Sequence, residues 1–113
     1  MWRLNMAEER TMNWKGKSGK EYKYWIWDIN TRFESASANY IFAKETSPNN
    51  FQAIYIGETG DISERFENHE KWGCITKYGA THVHTHKSSP EKKDRCVEES
   101  DLLAIRTTSC NDQ

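Results

Sequence analysis

The stretch Tyr40-Ile41-Phe42-Ala43-Lys44-Glu45-Thr46-Ser47-Pro48-Asn49-Asn50-Phe51-Gln52-Ala53-Ile54-Tyr55-Ile56-Gly57 reads as two strands around a turn. Tyr40 to Ala43 and Ala53 to Gly57 are rich in β-branched and aromatic residues, and Thr46 to Asn50 is a cluster of turn formers. A hairpin with a long loop is predicted. Pairing Ile41 with Ile54 puts two β-branched residues together on one face. The same register sets Tyr40 opposite Tyr55, so both phenols share one surface.

On the N-terminal side, residues 1–12 carry no clear period and read as a loose lead-in. Trp14-Lys15-Gly16-Lys17-Ser18-Gly19-Lys20 is a glycine- and lysine-rich turn before Tyr22-Lys23-Tyr24-Trp25-Ile26-Trp27, a strand by composition. Residues 13–38 therefore form an N-terminal β-hairpin extension. Its tryptophans pack on the main sheet, base stacking being the minority reading. On the C-terminal side, Asp61 with Glu64 three residues later resembles a capping box, which predicts a helix from about Ile62 to Trp72. Arg65 and His69 would share a face of that helix. A strand follows at Thr81 to His86. Ser89-Pro90-Glu91 then opens a second helix that ends near Arg106. The expected fold is α+β, a small, mostly antiparallel sheet flanked by helices.

The chain has 113 residues, enough for one domain, residues 1–113, and short for a catalytic head with a separate targeting domain. No apolar run approaches the roughly 18 residues that span a bilayer, and the N-terminus lacks the apolar stretch of a signal peptide. A cytoplasmic protein without membrane contact is the expectation. Cys74, Cys96 and Cys110 are odd in number and lack CxxC spacing, which predicts reduced thiols. A net charge of -1 and a pI near 6.4 count against tight non-specific binding of nucleic acid.

Several side chains suit phosphodiester hydrolysis, which needs an activated water, a neutralised phosphate and a stabilised leaving group. Arg65 offers a planar fork of donors for a phosphate. His69 could orient a water or share a proton. Tyr40 or Tyr55 could serve as base, although a phenol titrates at roughly 10 and would need help. Glu99 lies beside the apolar positions Leu102 and Leu103 and suits a magnesium ion that keeps most of its waters. From the residues alone, a surface Glu99 paired with Arg95 is favoured, and Glu98 is an equal candidate.

The segments Asn39-Tyr40-Ile41-Phe42, Tyr55-Ile56-Gly57-Glu58-Thr59, Arg65-Phe66-Glu67-Asn68-His69, Glu99-Ser100-Asp101-Leu102-Leu103 and Cys110-Asn111 together resemble the GIY-YIG nuclease family, in particular its small stand-alone bacterial members. The resemblance spans residues 39–111 as a catalytic module and implies a bacterial source. It also implies a metal-dependent endonuclease that hydrolyses DNA, with one divalent ion, Mg2+ or Mn2+. Tyr40, Tyr55, Arg65, His69, Glu99 and Asn111 would be catalytic and Glu99 the metal ligand, with Glu98 second choice. Gly57 suits close approach of backbone to substrate. Asn39 stands where the family has glycine, and Thr108-Ser109 where a proline often precedes the asparagine. Targeting would come from a branched or single-stranded substrate or from a protein partner.

His82, His84 and His86 alternate along a predicted strand, but successive same-face residues lie roughly 7 Å apart and converge poorly on one zinc ion. His82 and His84 are read instead as facing the substrate groove, with Thr81, Val83 and Thr85 on the core side. The rival function is a nucleic-acid-binding or protein-interaction module on the same fold without turnover.

Overall fold

The computed structural model describes residues 10–64 and 66–111. Strands β1 (Thr11–Lys15), β2 (Glu21–Asp28), β3 (Ala38–Ser47), β4 (Asn50–Thr59) and β5 (His82–Lys87) form an antiparallel sheet in the order β1-β2-β5-β3-β4. Helices α1 (Trp72–Lys77) and α2 (Lys92–Leu103) lie in the layers that cover it. The α+β class is as expected. The two hairpins are not adjacent in the sheet: β5 enters between them and pairs with β2 on one side and β3 on the other.

The N-terminal hairpin forms as read, although its first strand reaches back to Thr11 in the supposed lead-in; residues 1–9 lie outside the described part. Its turn wraps an internal carboxylate. Asp101 accepts hydrogen bonds from the Ser18 amide (2.9 Å), the Ser18 hydroxyl (2.7 Å) and the Tyr22 hydroxyl (2.8 Å). The Ser18 donors hold the Asp101 carboxyl below its usual range. Gly16 is required there, because a Cβ would fall 2.0 Å from a carboxylate oxygen of Asp101.

The β3–β4 register differs from the expectation. Ile41 pairs with Ile56 rather than Ile54, and Tyr40 faces Gly57 rather than Tyr55. Two features account for the shift. The turn is tight, with Ser47 paired to Asn50 and Asn49 at a φ of 64°, so the long loop is absent and both strands lengthen. A bulge at Ile54, between the pairs Phe42–Tyr55 and Ala43–Ala53, then puts Ile54 and Tyr55 on the same face. Tyr40 and Tyr55 still share a face, as diagonal rather than opposed neighbours, with ring centroids 6.2 Å apart.

Each face of the sheet has its own core. Trp14, Tyr22, Tyr24, Ile41, Ile56 and Leu102 pack on the α2 side. Buried Arg95, Glu98 and Leu102 recur at helical spacing along α2. Tyr40, Phe42, Ile54, Ile62, Ile75 and Val83 pack on the α1 side. The expected helix over 62–72 does not form. The Asp61 carboxylate accepts from the Ser63 amide and hydroxyl, a local turn that competes with helix, and the Ile62 amide donates to Ala36. A single 3-10 turn, Phe66–Asn68, follows, and the α-helix starts only at Trp72. The second helix is shorter than expected at both ends, running from Lys92 to Leu103.

Two expectations are corrected in the core. Cys74 and Cys110 form a disulfide with Cα atoms 5.9 Å apart, leaving Cys96 as the free thiol. Chain folding, not local spacing, brings α1 and the C-terminal segment together, so no CxxC signal announces the bond. His82 and His84 do not face a substrate groove beside the tyrosines. They lie on the opposite face, where His84 is fully buried between Trp14 and Phe51 and His82 stacks edge-on against Phe51. A central strand is covered on both sides, so Val83 and Thr85 are buried as well. Thr81, assigned to the core with them, is exposed.

The disulfide closes a loop with a sequence separation of 36 residues. Chain entropy then gives it about 4 kcal/mol of stabilisation. Urea unfolding of Cys110→Ser, beside the oxidised wild type, should reveal a loss of that order; equal midpoints would contradict it. His84 should impose a pH dependence. Trp14 donates to its Nδ1 at 3.0 Å, and burial pushes its pKa down to about 3. The unfolded chain takes up this proton near 6.5 and the folded chain does not, so stability is full above 6.5 and falls as pH drops toward 3. Between pH 7 and pH 5 the loss should be about 2 kcal/mol and should vanish from the pH profile of His84→Gln.

Candidate active site

Tyr40 on β3 and Tyr55 on β4 form the centre of a cluster on the α1 side. Gly57 makes their approach feasible: a Cβ there would meet Tyr40 Cζ and Oη at 2.7 Å and Tyr55 Cε2 at 2.8 Å. Phe66 stacks edge-on to Phe42 with centroids 4.9 Å apart and lies 6.3 Å from Tyr40, closing the cluster from above.

His69 completes a directed chain of hydrogen bonds. The Lys71 amide donates to Nδ1 at 2.9 Å, so in the neutral ring the proton sits on Nε2. Nε2 lies 2.8 Å from the Tyr40 hydroxyl and therefore donates to it. Burial lowers the pKa of His69, which keeps the ring neutral near pH 7. The Tyr40 proton is left free to point toward Tyr55, whose ring centroid lies 6.2 Å away, and the interaction of the two phenols raises Tyr40 while lowering Tyr55. Burial raises both, more strongly for Tyr40. Tyr55 is thus the more acidic phenol and the less buried one.

Glu99 lies on α2, which packs chiefly on β4 and β3. Its charge raises the pKa of both tyrosines. Its own carboxyl is raised, first by burial, then by the nearby charge of Glu58, against a smaller lowering by Lys92. The Arg95 partner considered for Glu99 is taken: the Arg95 Nε donates to Glu58 at 2.9 Å and its Nη1 to the Ser89 carbonyl. Glu98 points elsewhere, accepting from the Tyr24 hydroxyl at 2.6 Å and facing His86. Between the two glutamates, geometry favours Glu99. A half-buried carboxylate without a hydrogen bond or ion pair among the described residues, close to a second carboxylate, fits the requirement for one hard divalent cation. No group of three or more His, Cys, Asp or Glu side chains that could hold a metal ion occurs among the described residues.

Asn111 acts on the backbone. Its Oδ1 accepts from the Ile56 amide (2.9 Å) and its Nδ2 donates to the Ile56 carbonyl (2.8 Å), next to Tyr55. The Thr108 hydroxyl donates to the same Oδ1, and the Cys110 amide donates to the Ile54 carbonyl. Asn39, at the position expected as glycine, is fully buried and ties β3 to α2 by donating from Nδ2 to the Arg95 carbonyl at 2.9 Å. Arg65 lies outside the described residues. Glu58, Phe66 and Thr108 were not singled out for these roles in the sequence, because each acts through a tertiary partner.

No protein-family model matches the chain, and neither does any curated protein or solved structure.

Gly57→Ala should cost about 1–3 kcal/mol, the usual penalty of an overpacked core. It should also break the Tyr40–His69 bond, moving the His69 pKa measured by NMR titration. An unchanged pKa and an unchanged urea midpoint would mean the tyrosines accommodate a methyl group.

Proposed function

We propose that the chain is a metal-dependent endonuclease that hydrolyses DNA through a GIY-YIG-like site. The observation that carries this reading is the meeting of Tyr40, Tyr55 and His69, far apart in sequence, in one cluster whose two phenols both feel the charge of Glu99. One divalent ion, Mg2+ or Mn2+, at Glu99 would supply charge neutralisation on the phosphate oxygens. Tyr55 is the base in this reading. Its phenolate would accept from the neighbouring Tyr40, Tyr40 accepts from His69, and His69 is fixed by the Lys71 amide. Asn111 holds the β4 backbone that carries Tyr55. Arg65 is proposed for the phosphate from the sequence alone.

No helix among the described residues is long and apolar enough to cross a membrane. A cytoplasmic location remains part of the proposal, and the Cys74–Cys110 bridge weighs against a constantly reducing compartment. The rival, a binding module without turnover, would leave the proton path without use.

Nicking of supercoiled plasmid by the purified chain, with magnesium, manganese or chelator, tests the reading. Glu99→Ala should abolish metal-dependent nicking. Tyr55→Phe should lower it by about 10²–10⁴-fold, the span of general acid–base catalysis. Because Tyr55 titrates above its ordinary value, the wild-type rate should rise with pH above neutrality. Absence of nicking by folded protein with every metal would favour the binding module.

A further inference from the structure

Beside the tyrosine cluster lies a pocket of about 210 Å³, lined by Tyr40, Ile62, Phe66 and His69 on its inner side and by Thr59, Asp61, Glu64 and Asn68 toward the rim. Tyr40 and His69 are shared with the cluster, whereas Tyr55 and Glu99 are not among its walls.

Among the described residues its lining holds no lysine or arginine for a phosphate. Asp61 and Glu64 present negative charge, and Asp61 stays ionised because the Ser63 hydroxyl and amide hold its carboxyl below the usual range. The interior is flat and aromatic, with Phe66 and Tyr40 6.3 Å apart and tilted by 35°. Asp61 is committed to Ser63 and Ser35. The side chains of Glu64 and Asn68 are exposed and make no hydrogen bond among the described residues. They leave one acceptor-only group and one amide with both donor and acceptor at the rim. An aromatic floor with such a rim suits a flat heterocycle that offers an amino group. A carboxylate accepts from an amino donor on a base, and an asparagine amide pairs with the donor–acceptor edge of adenine.

We propose that this pocket receives one unpaired nucleobase bearing an exocyclic amino group, flanking the phosphate that is cut; the flanking part rests on the nuclease reading. Adenine, cytosine and guanine carry such a group, whereas thymine, whose one donor is an N3–H between two carbonyl acceptors, is disfavoured by Glu64. The substrate class is then nucleic acid with an unstacked base at the cut, in single strands or at junctions.

The test is equilibrium binding in chelator, where no cleavage interferes. A short single-stranded oligonucleotide of thymines with 2-aminopurine at one central position reports on pocket entry by its fluorescence. Competitors carry adenine, cytosine or thymine at that position. Adenine and cytosine should compete about tenfold better than thymine, and Glu64→Gln with Asn68→Ala should erase the difference. Both positions are exposed, so the fold is spared, which circular dichroism checks. Competition indifferent to the base, or no binding at all, overturns the pocket assignment. The same protein in the plasmid assay separates the two ideas. Nicking with base-indifferent binding removes the pocket and leaves the nuclease, whereas base-selective binding without nicking removes the nuclease and leaves the pocket.

Discussion

The burial of β5 on both faces is the constraint from which the rest follows. A hairpin on its own is marginal in water, and here two hairpins become one sheet only because His82–Lys87 pairs with both. That position forces alternate residues of one short strand into two different cores. Val83 and Thr85 meet the side that carries the tyrosines, while His84 enters the side that carries Trp14. An imidazole there is tolerated only as a neutral ring, with Nδ1 taken by the indole and Nε2 left without a hydrogen-bond partner. The edge-on contact of His84 with Phe51 at 4.6 Å offers that side of the ring an aromatic face.

How much of this was readable in the chain follows from where each signal resides. Strand composition is local, so β2, β3, β4 and β5 were found, and the shared face of Tyr40 and Tyr55 with them. Register is not local: the bulge at Ile54 and the tight turn at Pro48 and Asn49 shift the pairing by two residues. The period-two histidines suggested an exposed face because polarity was taken as exposure, and the neighbouring hairpin that covers them is invisible in a strand read alone. Asp61 and Glu64 carry the letters of a helix start, yet the Ser63 hydroxyl and amide capture the carboxylate before a helix begins. The pairing of Cys74 with Cys110 depends on α1 and the C-terminal segment meeting at one edge, which no spacing rule encodes.

The candidate site has the same character. Tyr40, Tyr55 and His69 lie in one cluster, and Glu99, singled out by the family resemblance, bears on it through its charge. What spacing could not supply was direction. The Lys71 amide fixes the tautomer of His69, which sets the sense of the bond to Tyr40 and in turn distinguishes the two phenols. Likewise Tyr24 and His86 engage Glu98, while Glu99 makes no hydrogen bond or ion pair among the described residues.

The attachment of Cys110 and Asn111 to β4 has a consequence for association. β4 ends the sheet, and a terminal strand exposes a row of unpaired amides and carbonyls on which a foreign strand can grow. The Ile54 carbonyl and both backbone groups of Ile56 are already engaged by the chain itself, and the disulfide holds the segment that engages them. That flank therefore offers a foreign strand no unbroken template, and the contacts that interrupt it are the ones that steady its tyrosine.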